Sequence, residues 1–404
     1  MNVLLLGNGF DLNHMFPTSY INFLNTVNFL LEVDRESIST IGHVFGNEKV
    51  REKDSFIRKC YEQHARIYDD ILFDKEKVEQ MLALAKNNMW FNYLSRSVGE
   101  NITWIDFEKE IVRVLEAFNN FFESDIFQLI NKQVIFDFAS YKAQEDKYII
   151  KSFPFFFDKL ENRNGFSVEI MQFKEEYVRE KIAGSGTYHL CEDEIISALY
   201  HSLCELANIL KMYFKLFVDV PSEEYAKFEI KAKFSSLPAA ECVYSFNYTN
   251  TYEILYRPNI VEHIHGNTDA EIVLGVNPDE SDEVENIDTT FLQFKKYFQR
   301  TFYSTDNSFL KKIYAQQRVR TLGKTDLYVV GHSLDVTDKD IIELIFESVD
   351  KIYILCHNDI SAKNQIRNLV QIYGKQGLDR LRAEKNLCFL PQSEVEWIYP
   401  KIEG

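Results

Sequence analysis

Cysteine is sparse and unpatterned in this 404-residue chain: Cys60, Cys191, Cys204, Cys242, Cys356 and Cys388 are scattered, with no CxxC pair and no Cys/His metal spacing. A disulfide-stapled scaffold and a cysteine zinc site are thereby excluded, no metal is expected, and a reducing cytoplasm suits the sequence best. Positive charge is also in deficit, with 45 Lys+Arg against 62 Asp+Glu and a net charge of −17. Such a surface repels polyanions, which disfavours direct nucleic-acid binding. No window of about 18 uncharged apolar residues exists, so no membrane span is expected. The opening MNVLLLGNGFDLN lacks a basic region and has only a short apolar run before Gly7, so it reads as structure rather than a secretion signal. Internal repeats and low-complexity tracts are missing too.

What remains is an ordinary globular composition, 46% hydrophobic and 26% charged. At roughly 150 residues per domain, the length suggests two or three units with a substantial core. Val3 to Leu6 form an unbroken apolar run ended by glycine, the pattern of a strand buried on both faces of a parallel sheet. Similar runs recur at Cys242 to Phe246, Ile260 to Ile264, Leu327 to Gly331, Ile352 to Cys356 and Leu387 to Leu390. The intervening segment shows helical periodicity. From Glu194, apolar residues at Ile195, Leu199, Leu203, Leu206, Leu210, Tyr213 and Phe217 mark one core-facing helix. Trp104, Phe107, Ile111 and Phe118 mark another. The expected fold is α/β, a Rossmann-like, mostly parallel sheet with a large helical insertion after the first strand. Its expected divisions are 1–50 and 241–404 for the sheet domain and 51–240 for the insertion. Residues 177–189 and the acidic stretch 277–288 read as solvated loops.

Four blocks can carry chemistry. LLLGNGFDL ends a strand in Gly7-Asn8-Gly9, where a chain turns sharply and an anionic ligand can approach backbone N–H groups. A dehydrogenase fingerprint is disfavoured, because Leu12 replaces its third glycine and Pro17 interrupts the following helix. YSFNYTNTYE delivers Asn247 to the carboxyl edge of the sheet, either as a ligand group or as a turn or N-cap residue. In VEHIHGN, strand alternation puts His263 and His265 on one face; a base at His265, at the strand end, is preferred to a metal site, and a structural histidine is the alternative. VVGHSLDVTD offers Ser333 in a superficial nucleophile elbow, but Asp335 stands where glycine is required. Lys295, Lys296 and Arg300 read as a solvated helix face in preference to a phosphate clamp.

GNGFDLNHMFPTSY, SFNYTNTYE, HIHGN and VVGHSLDVTD, together with Trp104 to Glu108, resemble the signature blocks of the AbiH family of bacterial abortive-infection proteins, which act against phage. More distantly, they resemble the sirtuin-like NAD-binding fold. That pattern is matched by Gly7 and Pro17, by Asn247 and Glu253, by His265–Gly266, and by Gly331, Ser333 and Leu334. Three positions depart from it. Asn8 and Asp11 stand where sirtuins usually carry alanine and serine, and Thr249 replaces the aspartate of Asn-Tyr-Asp. The four-cysteine zinc module has no counterpart, so a protein deacetylase is a poor match.

The sirtuin resemblance implies cleavage of the nicotinamide–ribose bond of NAD. Asn247 would position ribose or water and His265 would act as general base. Gly7, Asn8, Gly9, Asp11, Gly331 and Ser333 would hold the nucleotide, with pyrophosphate over the first turn and the helix start after Ser333, and Asn358 would contact the adenosine ribose. Ser333 then binds rather than attacks. The alternative is a non-catalytic nucleotide-binding sensor or adaptor in phage defence. A phage-derived activator and a homo-oligomer are further expectations, with the helical insertion as the candidate for restraint or self-assembly.

Overall fold

The structure, a computed structural model, describes residues 1–97, 104–123, 127–130, 133–136, 141–162, 169–180, 188–227, 240–256, 261–276, 289–318 and 324–392. Two compact units emerge: Met1–Ala83, Ala207–Glu280 and Lys295–Gly404 form one, and Leu84–Leu206 with Ser281–Phe294 form the other.

The first unit is built on a six-stranded sheet: β1 (Asn2–Leu6), β2 (Cys242–Ser245), β3 (Val261–His263), β4 (Asp326–Val330), β5 (Lys351–Cys356) and β6 (Cys388–Pro391). Every pairing is parallel and the strand order is β3-β2-β1-β4-β5-β6. This is the order of doubly wound sheets, in which the chain reverses direction on either side of the first strand and ligands bind at the carboxyl ends beside that switch. The expected α/β class and parallel sheet are therefore present. Alternation along β1 explains its unbroken apolar run. Val3 and Leu5 pack with Tyr244, Val329, Ile342 and Ile354 on one face, whereas Leu4 and Leu6 pack with Phe10, Val243, Val330 and Leu355 on the other. Each such side chain contributes about 1.5–3 kcal/mol by leaving water. β3 is shorter than its apolar run, ending at His263.

The register sets the geometry of the rim. Leu6 lies level with Val330 and Ser245, Ser245 with His263, and Val330 with Leu355. The segments after β1, β2, β3 and β4 thus leave the sheet side by side at one edge, which brings the amino-terminal turn and the His265 segment to a common rim.

The second unit is not wholly helical, contrary to the expectation for this stretch. Besides the expected helix Trp104–Glu123, it carries an antiparallel four-stranded sheet, ordered Phe127–Ile130, Gln133–Phe136, Glu169–Phe173, Phe157–Asn162. Short β segments interrupted by polar residues were hidden by the surrounding helical period. Part of the expected loop 177–189 is also a hairpin, Val178–Glu180 pairing with Tyr188–Leu190; its GSG and the acidic stretch 277–288 lie outside the described residues. The helix expected from Glu194 spans Glu192–Phe214 and continues as a π-helical turn, Lys215–Asp219.

Candidate functional site

The turn after β1 is clasped to the turn after β4. Gly7 N–H donates to Val330 O at 3.0 Å and Gly9 N–H to Gly331 O at 2.8 Å. A Cβ on Gly7 would lie 2.6 Å from His332 Cα, and one on Gly331, whose φ is +69°, would lie 2.2 Å from Phe10 N. These glycines permit backbone to pack on backbone. The Gly7 and Gly9 amides are engaged within the protein, so they do not form the expected open cradle for pyrophosphate. The helix start after Ser333 is displaced as well. Leu334 has φ +55°, a 3-10 turn begins only at Val336, and the Asp335 carboxylate accepts from Thr337 N–H at that terminus. A negative side chain there disfavours an anion.

Beside the clasp lies a crevice of about 560 Å³, at the switch between β1 and β4. Gly9, Asn13, Lys59, Gly331, His332, Ser333 and Gln392 are among its lining residues. Ser333 is exposed, and its carbonyl accepts from Asn368 at 3.0 Å. Asn8 occupies the N-cap position of the short helix Gly9–Asn13 but makes no side-chain cap. Asn358 caps the helix Asp359–Glu384 through a reciprocal bond with Ser361, which explains its place at a strand end by local structure.

On the β2 side, Asp11 is buried and accepts from Thr249 Oγ1 at 2.6 Å. Burial drives its carboxyl up to about 7, against the Thr249 and Thr251 hydroxyls and with the added repulsion of Asp219 and Glu253. Glu253 bonds His263 Nε2, and His263 Nδ1 lies 3.0 Å from the Asn247 carbonyl. Burial works against protonating His263, yet Glu253 outweighs it and raises the ring above its ordinary value. Asn250 ties this loop down, donating its N–H to Asp219 Oδ1 at 3.0 Å and its side-chain amide to Thr268 at 2.9 Å. Burial lifts Asp219, at the end of the π-helical turn, to about 6 despite bonds from Thr268 and Asn250.

His265 belongs to a different network from His263, contrary to the shared strand face read from alternation, because β3 has already ended. Its Nε2 lies 3.0 Å from Asp338 Oδ1, and Lys296 Nζ lies 2.9 Å from the same oxygen. Desolvation opposes ionising Asp338, but Lys296, His265 and His332 overcome it and hold the carboxyl well below the usual range. An ionised acceptor requires Nε2 to carry the proton, which leaves Nδ1 with a lone pair. Burial lowers the His265 pKa, only partly offset by Asp338. His332 accepts from Leu334 N–H through Nδ1 at 2.9 Å, and burial pushes it down to about 4. The Phe246 ring packs against both imidazoles, at 5.3 Å from His265 and 4.4 Å from His332.

The structure therefore brings Asp11, Asn247 and His265 to one rim and places Gly9, Gly331 and Ser333 on the crevice. Asn247 and His265 are not among the crevice lining. Lys296 and Arg300 are 2% exposed, which overturns the solvated-face reading: Arg300 pairs with Asp306 and Asp340, as Lys296 pairs with Asp338. Sequence reasoning missed Lys296, His332 and Asp338 as partners of His265. Asp338 stands in the quoted VVGHSLDVTD block, but only the sheet order reveals that this block meets the segment after β3.

Among the described residues, no helix is long and apolar enough to cross a membrane and no group of three or more His, Cys, Asp or Glu is arranged to hold a metal ion. A family model described as Bacteriophage abortive infection AbiH matches residues 3–356, from β1 to the end of β5. No curated protein matches the chain.

Proposed function

The chain belongs to the bacteriophage abortive infection AbiH family, and from that premise we propose that it acts in abortive infection by binding NAD, or a related nucleotide, at the carboxyl rim and hydrolysing the nicotinamide–ribose bond. One observation carries this reading. Asp11 Oδ1, Asn247 Oδ1, Glu253 Oε2 and His265 Nδ1 are buried around the rim without a hydrogen-bond partner. Asn247 Oδ1, Glu253 Oε2 and His265 Nδ1 are acceptors, whereas the Asp11 carboxyl, raised to about 7, carries a proton part of the time near neutral pH. A buried unpaired polar atom costs about 1–3 kcal/mol, so the set favours a ligand rich in donors. Ribose hydroxyls and a carboxamide supply donors; phosphate does not. The ribose end of the nucleotide accordingly faces these atoms, and the phosphates belong to the crevice beside Gly9, Gly331 and Ser333, with the Lys59 ammonium on its wall.

The chemistry needs a base, a positioned water and a site tolerant of positive charge. As the C1′–N bond breaks, its electron pair leaves with neutral nicotinamide and ribose gains cationic character. The Glu253 carboxylate favours that charge, as does Asp11 in its ionised form. Water adds to C1′ and gives its proton to His265 Nδ1, while Asn247 orients the water or the ribose. Because burial keeps His265 neutral near pH 7, the base is available there. The distant resemblance to the sirtuin-like fold supports the same assignment.

The test is to incubate the purified protein with NAD, with and without extract of phage-infected cells as a source of activator, and to quantify free nicotinamide. Wild type should release it, and Asn247→Ala and His265→Ala should each lower the rate by about 100-fold or more. Equal release from all three would place the chemistry elsewhere. Nucleotide bound but never split, in either condition, would identify a sensor or adaptor instead.

A further inference from the structure

Asp338 holds a helix N-cap position without performing the capping. It precedes the helix Lys339–Ser348, where an aspartate ordinarily accepts from the first free N–H groups, yet its side chain makes no cap hydrogen bond. Its Oδ1 instead receives His265 Nε2 at 3.0 Å and Lys296 Nζ at 2.9 Å, and its Oδ2 faces His332 Nε2 at 3.7 Å. Asp335 caps the 3-10 turn that leads into this helix, which leaves the Asp338 carboxylate to the network of His265, Lys296 and His332. Burying a lysine with it adds a desolvation cost that only a close counter-charge offsets. A carboxylate held in this way, against the ring that leaves one nitrogen unpartnered, has the layout of a base and its orienting acid.

We infer that Asp338 is the positioning residue of the reaction: kept anionic by Lys296, it fixes His265 in the Nε2–H tautomer, aims Nδ1 at the substrate side, and stabilises the imidazolium once Nδ1 has taken its proton. The inference rests on the reading of His265 as the base. Lys296 is the permanent cation that lets the carboxylate stay ionised in a buried place. Phe246 limits the ring's rotation from the β2 side. Among the described residues, Asp338, Lys296 and Arg300 act electrostatically on His265, and His265 acts on His332. Of these, only Asp338 accepts a proton-bearing nitrogen from the ring.

Two measurements on the full chain test it. First, protein labelled with ¹⁵N-histidine is observed by long-range ¹H–¹⁵N NMR near pH 7, with His265→Gln used to assign the resonance. Wild type should show protonated Nε2 and bare Nδ1. Asp338→Asn, whose amide can present N–H to Nε2, should move the proton to Nδ1. Protonated Nδ1 in folded wild type would overturn the inference without any variant. Second, kcat and KM for NAD are measured. Asp338→Asn should lower kcat by about 10³–10⁴-fold with KM changed little, and Asp338→Glu, which keeps the carboxylate, should recover part of that loss. A structural role alone would lower the melting temperature of both variants and leave kcat of the folded Asp338→Asn protein within about 10-fold of wild type, which would also overturn the inference. If wild type leaves NAD intact while the tautomer results come out as expected, the NAD reaction is wrong and the orientation of His265 by Asp338 stands.

Discussion

Two side chains from turns far apart in the sequence meet in space. Asp11 and Thr249, 238 positions apart, share a 2.6 Å hydrogen bond in which the hydroxyl donates to the carboxylate. Removing the hydroxyl leaves a buried acceptor with one fewer donor, so Thr249→Val should cost about 1–3 kcal/mol in stability. Joined with Asp11→Asn, the loss should be smaller than the sum of the two single losses, because the same bond is removed once. Urea denaturation of the four proteins forms the cycle, and strict additivity would show that the contact contributes nothing.

At the level of elements, the clasp between the turns after β1 and β4 separates two glycines that have nearly the same φ. Gly331 and Gly374 both have positive φ, but a Cβ at 331 meets Phe10 N at 2.2 Å, whereas one at 374, in the bend of the helix Asp359–Glu384, meets nothing within 4 Å. Gly374→Ala should therefore cost about 1–3 kcal/mol from the backbone alone, and Gly331→Ala about 1–3 kcal/mol more than that once crowding is added. Thermal melting of both variants checks the contrast, and equal shifts would mean that the clasp yields without cost. The strands of this sheet other than β3, which carries Glu262 and His263, were legible as mainly apolar runs that end close to a turn, and the blocks at their ends followed from that. The pairing of Gly7 with Gly331 was not legible, since Gly-Asn-Gly after a strand reads equally as an anion cradle and as a close backbone contact. Nor was the burial of Lys296 and Arg300, whose countercharges at Asp306, Asp338 and Asp340 come from later turns. In the second unit the antiparallel sheet escaped because its short strands lack a sustained alternation.

Over the whole molecule, several buried groups couple stability to pH with opposing signs. Asp11, raised to about 7, and Asp219, raised to about 6, bind protons that the unfolded chain has already released, so their contributions are complete below about pH 4 and are lost as pH rises through those values. His332, lowered to about 4, works the other way: its contribution is present above about pH 6.5 and is lost as pH falls through 4. The two effects offset one another between about pH 4 and 6.5, which would mask both in a simple melting profile. A difference measurement separates them. Relative to wild type, Asp11→Asn should gain about 2–3 kcal/mol between about pH 5 and pH 7, read from paired denaturation curves. A flat difference would mean that Asp11 titrates alike in the folded and unfolded chain.

The central strand of the sheet is also the first to be translated. Asn2–Leu6 leaves the ribosome before either of its neighbours exists, one arriving with Cys242–Ser245 and the other with Asp326–Val330. Until then its apolar side chains have no sheet to enter, and the long loop that must close on it makes this a late event in folding. A nascent polypeptide that has not reached residue 326 lacks one wall of the crevice, so the pocket comes into being only after the strand that follows has been made.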